Sequence, residues 1–87
     1  MFTIMVRMAT ELGEAVKVGV VFFRGDVKPV WFSRNAATQI TIRKVAFTWK
    51  TREGSALILH FSVTDGQGLY EICYNTETLQ WWVEKAE

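Results

Sequence analysis

His60 and Cys73 are the one histidine and the one cysteine of the chain. If the strands that carry them pair, a thiol meets an imidazole, the arrangement a cysteine nucleophile needs. Neither residue has an evident third partner or an anion-stabilising loop beside it. The carboxylates are scattered, with no close pair to act as general acid and base. One histidine and one cysteine without a neighbouring ligand set fall short of the three or four donors a cation requires. Gly66 and Gly68 lie in turn chemistry rather than ahead of a helix, so no phosphate-cradling loop is expected. The expectation is therefore a non-enzymatic protein with no cofactor and no metal.

Two further sets of residues suit binding rather than catalysis. Val21, Phe23, Trp31, Ile58 and Trp82 fall on strand faces opposite to the apparent core, a surplus of apolar surface of the kind that marks interfaces and self-association. Arg34, Arg43, Lys44, Lys50 and Arg52 form a candidate basic patch. Residues 1–23 balance to zero charge, residues 24–52 carry +6 and residues 53–87 carry −5. The bland expectation is that basic and acidic strands pair across the fold, each pair contributing little. Aromatic rings beside a separated basic face suit sequence-tolerant binding of single strands. A protein-interaction module is thus the leading expectation, and the alternative is a weak single-stranded nucleic-acid binder using Trp31, Arg34, Arg43 and Lys44.

The elements that must position these residues read as strands. Phe2, Ile4, Val6 and Met8 alternate as a first strand, or form an N-terminal extension if Met8 is the initiator. Ala9 to Glu14 reads as a turn, with Gly13 available for a positive φ. In Ala15 to Arg24, Val16, Val18, Val20 and Phe22 share one face. Gly25-Asp26 turns the chain, and Val30 to Arg34 follows as a short strand. Between Gln39 and Lys50 the apolar set changes phase, from Ile40 and Ile42 to Val45, Phe47 and Trp49, so a β-bulge is expected at Arg43-Lys44, with two separate short strands as the other solution. Ala56 to Thr64 alternates cleanly, with Leu57, Leu59, Phe61 and Val63 inward. Asp65-Gly66-Gln67-Gly68 is the strongest turn signal. Leu69 to Asn75 pairs back, and Leu79, Trp81 and Val83 close the last strand.

About seven short strands without a helix argue for one all-β domain over residues 1–87, an antiparallel meander closed into an SH3-like barrel or roll, with an OB-like barrel as the alternative. Twelve aromatic residues among 87 give a small core a large buried area per residue. One proline, six glycines and no low-complexity tract exclude a disordered chain. A lone cysteine excludes an internal disulfide framework and fits a reducing, cytoplasmic setting. No apolar run approaches the roughly 20 residues of a membrane-spanning helix, and the start of the chain lacks the layout of a signal peptide.

The segments KPVWF (28–32), ITIRKVAFTWKTREG (40–54) and LHFSVTDGQGLYEICYNTETLQWWVEK (59–85) resemble a group of small uncharacterised bacterial proteins. In these a Lys/Arg-Pro-x-x-Phe strand precedes a Val-x-x-x-x-Trp strand, and a Tyr-Glu hairpin ends in a terminal Trp. The resemblance spans about Lys28 to Val83. It implies a compact β domain of unknown function and brings no catalytic residue with it.

Overall fold

Period-two alternation resolves into eight strands in the computed structural model, which describes residues 10–35 and 37–87. They are β1 (Thr10–Ala15), β2 (Lys17–Phe23), β3 (Asp26–Asn35), β4 (Thr38–Thr41), β5 (Lys44–Glu53), β6 (Ala56–Thr64), β7 (Leu69–Asn75) and β8 (Gln80–Ala86). All described residues are strand, turn or irregular, and none forms a helix long and apolar enough to cross a membrane. The expected first strand at residues 1–8 lies outside the described residues.

The strands form two antiparallel sheets rather than a closed barrel. One has five strands in the order β1-β8-β7-β6-β5, the other three in the order β2-β3-β4. The backbone passes from one sheet to the other twice. At the first passage the Val16 amide donates to the Trp81 carbonyl, one residue before β2 begins. At the second, the Ile42 amide donates to Val30 in the small sheet and the Arg43 amide to Thr64 in the large one.

The second passage is what the phase change in the sequence reports. Instead of one bulge at Arg43-Lys44, the strand is interrupted there, and a register irregularity follows between Val45 and Phe47. Val45 opposes Val63 on the core side, but Phe47 opposes Ser62 and Trp49 opposes His60. Opposed residues share a face, so Phe47 and Trp49 lie on the outer side of the sheet, not with Val45 as expected.

Other departures have equally local causes. Residues 10–15 are a strand and not a turn: the positive φ of Gly13 (57°) accommodates an irregularity in the β1–β8 pairing between Glu11 and Glu14. The β2–β3 turn is Arg24-Gly25, both at positive φ, one residue earlier than expected and of the tight hairpin type. Leu79 precedes β8 at positive φ and is exposed, because the Asn75 side chain closes the turn by accepting from the Glu77 and Thr78 amides. The turns at Asn35 and Asp65 are closed in the same way.

The core lies between the sheets. Phe32 of β3 meets Phe61 and Val63 of β6, Ile72 and Tyr74 of β7 and Val83 of β8. The Phe32 ring stands edge-on to Tyr70 at 5.1 Å, and Tyr74 stacks on Trp81 at 4.5 Å. Burying each such side chain contributes roughly 1.5–3 kcal/mol. A second, smaller cluster of Ala56, Ile58 and Cys73, with Trp82 packed on it, occupies the opposite face of the large sheet. Strand β6 is therefore buried on both faces.

Candidate functional site

Cross-strand register assembles a row of unusual residues on that outer face. Trp49 of β5 opposes His60 of β6, His60 opposes Cys73 of β7, and Cys73 opposes Trp82 of β8. The adjacent row runs Phe47, Ser62, Glu71 and Lys85. Glu71 therefore sits one pleat along from Cys73, on the same side. The irregularity between Val45 and Phe47 decides this arrangement, since without it Trp49 would point into the core.

Within the row, His60 is held from every direction. Its ring stacks on Trp49 at 5.0 Å, nearly parallel. Its Nε2 lies 2.7 Å from the Thr51 hydroxyl, and its Nδ1 lies 3.1 Å from Glu71 Oε2 and 3.3 Å from Cys73 Sγ. Cys73 Sγ is in turn 3.7 Å from the same carboxylate oxygen. Lys85 Nζ approaches the other oxygen of Glu71 at 4.0 Å. The Trp82 indole donates to Glu84 at 2.7 Å.

The pairing of thiol and imidazole that the sequence permits is thus present, but its electrostatics oppose nucleophilic use. Burial pushes the Cys73 thiol far above its usual range, and the Glu71 and Glu84 carboxylates push it further. A thiolate is the reactive form, and here the neutral thiol is strongly favoured. The third partner that sequence reasoning did not find is Glu71. Its signal was its spacing: Glu71-x-Cys73 on one strand face, opposite His60, is a three-donor set once β6 and β7 pair.

The candidate interaction residues separate into two groups. Val21 and Phe23 are exposed, at 50% and 65%, and the intervening Phe22 joins them at 62%. Phe22 was expected in the core because it alternates with Val18 and Val20. It does share a side with Val27, but β2 has a neighbour on one side only among the described residues. Trp31 is half-buried against Gly19, its indole leaving no room for a β-carbon there. Ile58 is only 2% exposed and floors the outer cluster, while Trp82 is half-buried against it and keeps part of its surface. Phe47, counted with the core strand in the sequence, is exposed.

The basic residues do not form one face. Arg34 is paired with Glu14 at 2.9 Å. The Arg43 side chain lies over Gly66. Lys44, Lys50 and Arg52 are exposed along β5, where the register puts Lys50 opposite Leu59 and Arg52 opposite Leu57. Those two point to the side away from Phe47 and Trp49. Lys50 and Lys28 instead flank a cleft of about 600 Å3 between the β2–β3 hairpin and β6, floored by Leu57, Leu59 and Phe61.

Compared with known proteins, the chain matches no family model, no curated protein and no solved structure.

Proposed function

We propose that this chain is a non-catalytic protein-interaction module that self-associates through strand β2. The observation that carries this reading is the run Val21-Phe22-Phe23, three consecutive exposed apolar residues on a strand that has one open edge among the described residues. An open, apolar edge strand is a template for pairing with another chain. Pairing β2 with the β2 of a second copy continues the three-stranded sheet across a twofold axis and covers the same run in both. The Arg24 guanidinium over the Phe23 ring, at 5.4 Å, keeps a charge at the rim of the patch. The architecture that goes with this reading is an SH3-like roll, with an incompletely closed, OB-like barrel as the alternative, in a small bacterial β-domain protein working in the reducing cytoplasm.

Single-stranded nucleic-acid binding is less well supported. A stacking platform needs rings and positive charge on one surface, whereas Phe47 and Trp49 lie on one side of β5 and Lys50 and Arg52 on the other. Enzymatic activity through Cys73 is disfavoured by the protonated thiol.

Sedimentation equilibrium from low to high micromolar concentration tests the proposal. The expected result is a monomer–dimer equilibrium for the wild type and a monomer throughout for Phe22→Lys or Phe23→Lys. A monomeric wild type at high micromolar concentration overturns it. Tryptophan quenching that saturates with a mixed-sequence single-stranded oligonucleotide and fades with salt would put the nucleic-acid reading in its place.

A further inference from the structure

We infer that His60, Glu71 and Cys73 form a binding site for a divalent transition-metal cation of the zinc class. The inference is independent of self-association, since the site lies on the outer face of the large sheet and the apolar run on the small one.

Donor chemistry is the first support. An imidazole nitrogen, a carboxylate oxygen and a thiol sulfur are the three ligand types that zinc accepts together. These donor atoms all lie within 4.8 Å of one another. Shape is the second. The separations are 3.1 Å for N to O, 3.3 Å for N to S and 3.7 Å for S to O. Tetrahedral ligation with Zn–N and Zn–O near 2.0–2.2 Å and Zn–S near 2.3 Å requires donor–donor edges of about 3.3–3.6 Å. The three atoms thus already outline one face of that tetrahedron, to within a few tenths of an ångström.

The surroundings are organised as a metal site's usually are. A ligating histidine normally uses its second ring nitrogen for a hydrogen bond that fixes tautomer and orientation. Here Nε2 lies 2.7 Å from the Thr51 hydroxyl, which can accept its proton once a cation takes the Nδ1 lone pair between Glu71 and Cys73. Trp49 fixes the plane of the ring. Lys85 attends Oε1 of Glu71, so Oε2 is the oxygen turned to the other two donors. All three ligands sit within paired strands, where register and not a loop sets their spacing. The His60 and Glu71 side chains are each 14% exposed and Cys73 is fully buried beneath them, so a cation would reach the sulfur from the side of His60 and Glu71. On binding, the metal–sulfur bond forms as the S–H bond breaks, and the proton passes to solvent.

Cobalt(II), a spectroscopic substitute for zinc, makes the test direct. Titration of the full chain should give a 1:1 complex with a thiolate-to-cobalt charge-transfer band and quenching of Trp49 fluorescence, both reversed by Zn2+. The band should be absent in Cys73→Ser. Glu71→Gln, close to the native shape, should keep the fold by circular dichroism and weaken binding at least tenfold. Thr51→Val, which removes only the hydroxyl that positions the imidazole, should weaken it by about 10–100-fold. No charge-transfer band with the folded wild type overturns the proposal. So does a band that persists in Cys73→Ser, or an affinity unchanged in both Glu71→Gln and Thr51→Val.

Discussion

The two faces of the large sheet are both buried at their centre, by opposite means. The inner face is apolar and closed by a second sheet: Phe61, Val63, Ile72, Tyr74 and Val83 meet Phe32, and no buried polar side chain interrupts them among the described residues. The outer face joins a small apolar floor of Ala56, Ile58 and Cys73 to a hydrogen-bonded set of His60, Glu71, Thr51, Trp82 and Glu84. A face closed by shape specifies the fold, and a face closed by polar partners has chemistry to offer. Strand β6 contributes to both, because Phe61 and Ile58 point in opposite directions from it.

That contrast can be broken one face at a time. Phe61→Ala removes a ring from the centre of the inner core and should destabilise the domain by about 3–5 kcal/mol, enough to unfold a domain this small. Urea denaturation measures it, and a loss under about 1 kcal/mol would mean that the inner face is not the core. Ile58→Ala empties an equally buried position over a thinner layer that can collapse around the gap. Its cost should sit near the lower end of the aliphatic range, about 2 kcal/mol. If Ile58→Ala costs more than Phe61→Ala, the ranking of the two faces is wrong.

The smallest effect belongs to the turn that aligns β6 with β7. The Gly68 and Gln67 amides donate to the Asp65 carboxylate and hold its pKa below its ordinary value of 3.8. A lowered folded-state pKa means that the charged form favours folding. This contribution is present above pH 3.8 and is lost as pH falls through the folded value. Asp65→Asn removes the titration, so the gap in urea midpoint between wild type and variant should narrow below pH 3.8 and stay constant above it. A gap that is independent of pH would mean that the carboxylate charge does not hold the turn.

The sequence made the inner face legible and the outer one largely not. Alternation in Ala56 to Thr64 picked out Phe61 and Val63, and the turns at Asp65 and Asn75 were plain from side chains that bond their own backbone. The phase change after Ile42 marked the place where the chain leaves one sheet for the other. Whether two sheets or a closed barrel results depends on how far strands separate beyond that point, which alternation does not encode. Gly13 offered the conformation of a turn and serves a bulge instead. The outer site stayed hidden because it is a product of register: His60, Glu71 and Cys73 look like ordinary alternate residues until β6 and β7 align, and Trp49 joins them only through the slip after Val45.

The pairing of β1 with β8 has a consequence for the order of folding. Every other strand pair joins neighbours along the chain, but Thr10 faces Ala86 across nearly the whole described sequence. The local hairpins close on microsecond timescales, while this contact must wait for the largest loop in the molecule. Strand β1 is therefore expected to dock after the transition state, so that substitutions there should speed unfolding while leaving the folding rate nearly unchanged, which stopped-flow folding and unfolding rates would check.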